Sequence, residues 1–235
     1  MPVGVRFVTG GTSGLWVIVP AYNEESAIGG TLAGLRPYMP NVLVVDDGSS
    51  DRTGRIARRR GAIVLRHVAN LGQGAALQTG IDAALAWGAR MVCTFDADGQ
   101  HDVGAIARMV DMQRQSGADV VLASRFLSGQ ARIPPVRRFV LGLALKFTRM
   151  QTRLSVTDTH NGLRLLTREA AKRIRIRQNG MAHASELLSE IAAKRLSYVE
   201  VPSTVTYTRY SLRKGQSVFD SVKILFDIVY AAWSR

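Results

Sequence analysis

Cysteine is nearly absent from this 235-residue chain: Cys93 is the only one, so no internal disulfide can form. A reducing, cytoplasmic setting is the expectation that follows. Long apolar runs are missing too. No stretch of 18 uninterrupted apolar residues occurs, so a membrane-spanning helix is not expected. The opening MPVGVRFVTG lacks the apolar core of a secretory leader. Acids are also scarce, with 18 Asp and Glu against 31 Lys and Arg and a formal net charge of +13. The scarcity is local: between Arg125 and Arg177, eleven Arg and two Lys face only Asp158 and Glu169, a balance of +11. Such a segment suits nucleic acid, an anionic membrane face or a phosphorylated ligand. Scattered solvated arginines are the commoner reading of a charge run, but here there are few acids to balance them.

Hydrophobic residues make up 46% of the chain, enough for one substantial core, and no repeat, low-complexity tract or linker divides it. The first 14 residues read as a flexible lead and 15–235 as a single domain. Short Val/Ile/Leu runs at Leu15–Pro20, Asn41–Asp47, Ala62–Arg66, Met91–Phe95 and Asp119–Ser124 read as strands. Stretches at Glu25–Leu35, Asp51–Arg60, Gly74–Trp87 and Asp102–Ser116 read as helices between them. This alternation predicts an α/β domain with a mainly parallel sheet covered on both faces. Beyond Ser124, Pro134 and Pro135 open a predicted amphipathic helix, with Arg138, Lys146, Arg149 and Arg153 on one side. Val140, Leu143, Phe147, Met150 and Leu154 gather on its other face. NGLRLL is expected to return to the sheet, followed by a helix from Thr167, an extended YVEVPSTVTY and an amphipathic helix over Ser217–Trp233.

In parallel sheets of this kind ligands bind beyond the carboxyl ends of the strands, where the acids of this chain cluster. Asn23–Glu24, Asp46–Asp47 and Asp96–Asp98 follow three separate predicted strands. Alone, DDGSSD is an ordinary turn with Asp51 as a helix cap, and an isolated Asp-x-Asp is an acidic turn with Asp102 capping the next helix. Two carboxylates at i and i+2, however, repel each other unless they share a cation or a donor. Mg2+ or Mn2+, held by few protein oxygens and completed by substrate phosphates, is the natural partner, with Gln100 adding a neutral oxygen. The glycines of VTGGTSG (Val8–Gly14) do not make a dinucleotide turn, because a strand follows them where a helix is required.

VIVPAYNEE, VVDDGSSDRT, NLGQGAALQTGIDAA, FDADGQHD and ASRF, taken in this order, resemble the family 2 inverting glycosyltransferases of the GT-A fold. The likeness runs roughly from Trp16 to Ser217 and is greatest to the dolichol-phosphate mannosyltransferase-like branch, which includes bacterial polyprenyl-phosphate sugar transferases. The resemblance implies a donor half at 15–124 and an acceptor half at 125–235. It implies that Pro20, Tyr22, Asn23 and Glu24 line the nucleotide-sugar pocket, with Asp47 near the base or ribose. Asp96 would face the nucleotide, and Asp98 with Gln100 would hold the metal. Arg125 with Arg137 or Arg138 would grip an acceptor phosphate. Arg213 and Lys214 would close on the donor diphosphate, Arg213 assisting catalysis with Asp96 and Asp98. Leu141 departs from the family, which often carries Ser at that spacing.

The expected reaction is therefore metal-assisted transfer of a hexose from GDP-mannose or a UDP-hexose to a lipid phosphate. A phosphate nucleophile is already ionised and needs no base, whereas a hydroxyl acceptor does. Family members acting on hydroxyls typically carry a Glu-Asp pair in the later region, and none stands between Arg125 and Arg177. Asp158 alone would have to serve as base in that alternative. An enzyme of this kind, without a spanning helix, is expected at the cytoplasmic membrane face as a peripheral protein. A basic nucleic-acid module would leave three acidic strand ends unexplained, so nucleic acid is not the expected partner.

Overall fold

The computed structural model describes residues 14–127, 145, 149–150, 152–159, 161–180 and 182–204. Arg137, Arg138, Arg213 and Lys214, the bulk of the basic helix and the C-terminal helix lie outside the described residues. In chain order the elements are β1 Leu15–Ala21, α1 Ile28–Leu35, β2 Val42–Asp46, α2 Thr53–Arg59, β3 Ile63–Arg66, α3 Gln73–Ala86, β4 Met91–Thr94, α4 Gly104–Ser116, β5 Val120–Ser124, β6 Arg164–Thr167, α5 Arg168–Arg173, α6 His183–Ala193 and β7 Tyr198–Pro202.

The described strands form one sheet in the order β3-β2-β1-β4-β6-β5-β7. All pairings are parallel except those of β6, which runs antiparallel between β4 and β5. The expected α/β class holds, and the sheet is mainly parallel. Gly14, expected in the flexible lead, is already part of the fold, since its carbonyl accepts from Arg90 and Met91 N–H groups.

Both faces of the sheet are covered, and β1 shows why its residues are apolar without alternation. Leu15, Val17, Val19 and Ala21 join the core that includes Ile28, Leu32 and Leu35 of α1 and Ile106 and Met109 of α4. Trp16 and Ile18 join the opposite core, with Ile81 of α3, Ala170 of α5 and Leu187 and Ile191 of α6. Each fully buried aliphatic side chain contributes about 1.5–3 kcal/mol. Gly80 lets α3 ride close on the strands, because a methyl group there would collide with Ile18. Pro20 is tolerated in a central strand because pairing with β4 has already ended at Ile18–Thr94, so no ladder hydrogen bond is lost.

The later chain departs from its expected pattern, since α6 is not among the expected elements. Met150, placed by its spacing on the apolar face of the predicted basic helix, is 72% exposed. Leu145 and Leu154 do pack against the core.

Candidate active site

The loops after β1 and β2 are laced together at the sheet's carboxyl rim. Asn23 takes a left-handed backbone conformation, φ 52°, which asparagine tolerates better than most residues. Its N–H donates to Ser49 Oγ at 3.0 Å and its Oδ1 accepts from Ser50 N–H at 2.9 Å. Glu24 N–H donates to Thr53 Oγ1 at 2.7 Å, and Glu25 N–H to Asp51 at 3.1 Å. The Glu25 carboxylate in turn accepts from Arg52 N–H and Nε. These bonds hold Tyr22, which is exposed, and Glu24 at the rim. Asp51 also accepts from Thr53 N–H at 2.9 Å, performing the expected capping task at the start of α2.

Asp46 and Asp47, adjacent in sequence, do different work. Asp46 is fully buried and accepts from Ser49 N–H at 3.0 Å, shaping its own turn. Asp47 accepts from Leu71 N–H at 2.9 Å, from Gly72 N–H at 2.8 Å and from His67 Nδ1 at 2.7 Å. The Asp47 carboxylate thus holds the loop leading into α3, and those three partners occupy much of the capacity it was expected to offer a base or ribose.

The Asp96–Asp98 turn follows directly on β4. Thr31 of α1 anchors it by donating to Ala97 carbonyl at 2.7 Å. Asp96 accepts from His101 Nε2 at 2.8 Å and from Gln73 Nε2 at 3.3 Å. Burial pushes the Asp96 carboxyl up, but the His101 hydrogen bond and charge, with Arg164 adding, bring it below its ordinary value. Asp98 goes the other way: burial raises it, and the charges of Asp96 and Glu24 raise it further against the Gln100 N–H bond. Asp98 is therefore an acid held among acids, and a cation would relieve it. Among the described residues no group of three or more ligating side chains gathers in one place. Asp98 with Gln100 fits a hard divalent ion that takes few protein oxygens and completes its shell from ligand and water. Asp102 accepts from Gly104 N–H at 2.9 Å and pairs with Arg108, serving the next helix as expected.

Residues 157–159 and 161–164 close the site from the other side. Thr94 Oγ1 donates to Gly162 carbonyl at 2.6 Å, and a methyl group on Gly162 would collide with the Asp96 carboxylate. Asp158 and Arg125 meet in a two-pronged ion pair, Nε to Oδ2 at 2.8 Å and a terminal nitrogen to Oδ1 at 2.9 Å. Arg125 N–H adds a third bond at 3.1 Å. Asp158 is 5% exposed and Arg125 9%. Two sequence expectations meet the same obstacle here. Asp158, the base of the hydroxyl-acceptor alternative, is buried in a two-pronged ion pair with a guanidinium rather than presented to an acceptor. Arg125 spends the fork meant for an acceptor phosphate on Asp158.

Sequence reasoning left His101 without a task and passed over Gln73, Arg164 and His183. Gln73 lies within the NLGQG motif, so a signal for it was present. His183 begins α6 and is pushed down to about 4, first by burial and then by the Arg164 charge, so it is neutral near pH 7. Its folded value lies below the 6.5 of an unperturbed imidazole, so the unfolded chain binds the extra proton. Stability from this group is complete above about pH 6.5 and is lost as the pH falls towards 4. The gap amounts to about 3 kcal/mol at about 1.4 kcal/mol per pH unit. Urea midpoints at pH 5 and pH 7.5 check this: the difference should shrink in His183→Phe, and an unchanged difference would show that His183 does not carry it.

Comparison with known proteins is consistent with this geometry. Residues 16–175 match the family model described as Glycosyl transferase family 2. An uncharacterized protein of Methanocaldococcus jannaschii is 37% identical over 220 residues, 92% of this chain and 90% of that protein. The UDP-N-acetylglucosamine–dolichyl-phosphate N-acetylglucosaminyltransferase of Methanococcus voltae is 30% identical over 92% of this chain and 94% of its own length. The polyprenol monophosphomannose synthase of Mycolicibacterium smegmatis is 31% identical over 84% and 79%. Among solved structures, the Mycobacterium tuberculosis glucosyl-3-phosphoglycerate synthase with Mn2+, UDP-glucose and phosphoglyceric acid superposes with a TM-score of 0.70. It covers 98% of this chain and 84% of that one at 18% identity, a likeness of the GT-A fold. With the family model reaching from β1 to α5, across the laced loops and the acidic turn, this chain belongs to glycosyl transferase family 2.

Proposed function

We propose that this chain transfers a hexose, with inversion, from a nucleotide-sugar to a polyprenyl- or dolichyl-type lipid phosphate. The observation that carries this reading is the Arg125–Asp158 pair. It withdraws the acid best placed to serve as base for a hydroxyl acceptor, and a phosphate nucleophile needs none. The names of the Methanococcus and Mycolicibacterium relatives, each a transferase to a polyprenyl or dolichyl phosphate, support the same acceptor class.

In this reading Pro20, Tyr22, Asn23 and Glu24 border the nucleotide, and Asp47 acts on it through the loop it holds. Asp98 and Gln100 would hold Mg2+ or Mn2+, which when bound neutralises charge on the departing diphosphate. Asp96, kept ionised by His101, faces the donor with a fixed carboxylate. Arg213 and Lys214 serve the diphosphate, and Arg137 and Arg138 the acceptor phosphate, on sequence grounds. Arg125 shapes the acceptor side through Asp158. The basic segment, in which Leu127, Arg149, Met150 and Arg153 are all exposed, suits peripheral contact with an anionic membrane surface. Among the described residues no helix is long and apolar enough to cross a membrane.

A thermal-shift panel of GDP-mannose, UDP-glucose, UDP-N-acetylglucosamine and a dTDP-sugar, each with Mn2+ or Mg2+, tests donor use. One nucleotide class should raise the melting temperature in a metal-dependent way. Silence from every donor with both metals present would sink the transferase reading.

A further inference from the structure

The loop between β3 and α3 carries apolar side chains in solvent on a backbone that is tied down. Residues 68–71 are all exposed; Val68 is as open as in an extended chain, and Leu71 is 50% exposed. A single exposed aliphatic residue is ordinary, but this loop is held in the shape that displays two. Asp47 takes the Leu71 and Gly72 N–H groups at 2.9 and 2.8 Å, and Gly74 N–H reaches the Asn179 carbonyl at 2.8 Å. The inner side of the loop lies on Gly48, where a methyl group would collide with the backbone of Ala69 and Asn70.

Strand register puts this loop at the candidate active site. Ala21, Asp46 and Arg66 stand side by side at the carboxyl ends of β1, β2 and β3. The loop therefore rises from the same rim as Tyr22, which is 44% exposed. It runs directly into Gln73, whose amide meets Asp96 at 3.3 Å. Its flanks are basic: Arg66 precedes it, and Arg177, at the end of the basic segment, stands two residues before Asn179, both of them exposed. No acid occurs between Ala62 and Ile81 or between Ala170 and Ser185.

An apolar tip between positive charges matches the interface of an anionic bilayer, where aliphatic carbon sinks below the headgroups and arginine stays among them. A second copy of this chain would instead set arginine against arginine. We propose that Val68 and Leu71 form an interfacial anchor, inserted into an anionic bilayer surface and holding the carboxyl rim against it. The anchor lies outside the basic segment and adds to any contact made there. It rests on the transferase reading in one respect, that the lipid phosphate reaches this rim from that bilayer. Because the loop is already fixed by Asp47, Gly48 and Asn179, docking it orders little that is free.

Sedimentation of the full chain with vesicles of phosphatidylcholine and phosphatidylglycerol, without donor or acceptor, tests the anchor. Both side chains are exposed, so Val68→Ser/Leu71→Ser should melt with the wild type yet partition onto the vesicles about tenfold more weakly. The one native thiol, Cys93, is buried, so a polarity-sensitive dye on Val68→Cys reports from the loop alone. Its emission should move to shorter wavelength when the vesicles are added. Wild-type partition that the double variant leaves unchanged, or a dye that sees no vesicle, overturns the anchor. So does a double variant with weakened GDP or UDP affinity in calorimetry with Mn2+, which assigns the two side chains to the donor. A wild-type dimer in ultracentrifugation that the double variant abolishes also overturns it, in favour of a second copy. Vesicle binding that depends on these two residues upholds the anchor even where no donor is turned over, an outcome that counts against the transferase reading alone.

Discussion

Asp98→Asn should lower sugar transfer by about 10³-fold, on the order of 4 kcal/mol of lost transition-state stabilisation, while the fold becomes no less stable. Both halves follow from one observation. Asp98 is raised by burial and by the neighbouring charges of Asp96 and Glu24, so in the metal-free protein its ionised carboxylate is a source of repulsion. Asparagine keeps the shape and removes the charge, which relieves the protein and deprives a cation of its main anchor. The expected pattern is a melting temperature equal to or above wild type without metal, a lost metal-dependent rise with donor, and collapsed turnover. Residual activity within about tenfold of wild type, or a marked drop in stability, would show that Asp98 has a different task. Functional acids that cost stability are a familiar trade-off.

Arg125→Met should destabilise the chain by about 3–5 kcal/mol, because Asp158 would be left buried with its charge uncompensated. Three hydrogen bonds from Arg125 now serve that carboxylate, all in buried surroundings. Asp158→Leu alone should also destabilise, since it strands the guanidinium. The double variant Arg125→Met/Asp158→Leu should recover most of the loss, as buried ion pairs are replaceable by apolar groups of similar volume. Urea denaturation of the four proteins gives the coupling. If the single losses simply add in the double variant, the pair is not the coupled unit described above, and Asp158 regains its candidacy as a base.

Much of this architecture is readable from local pattern. The Val/Ile-rich runs that became β1, β2, β4 and β5 are short and continuous because both sheet faces are buried there, whereas β3 at the sheet's edge is half exposed. The acidic strand ends stand out because carboxylates rarely follow buried strands without a reason. The insertion of β6 between β4 and β5 was not readable, because strand order depends on pairings across more than forty residues. Helix α6 could have been found: Ala184, Leu187, Leu188 and Ile191 carry helical spacing and are all buried. The tasks of the polar residues were the hardest to read. That Asp47 would bind a loop, Asp158 an arginine and His101 an aspartate depends on partners 24, 33 and 5 residues away. Spacing identifies a carboxylate near a rim, and only the fold decides whether it faces a ligand or a neighbour.

The central claim is that the nucleophile is a phosphate. The most direct measurement supplies the purified chain with its labelled nucleotide-sugar, Mn2+ and vesicles carrying either dolichyl phosphate or the same dolichol with a free hydroxyl. Labelled lipid should form from the phosphate alone, with the sugar attached through it and inverted at its anomeric carbon. Comparable transfer to the free alcohol, or to a soluble glycan in place of the lipid phosphate, would contradict the account.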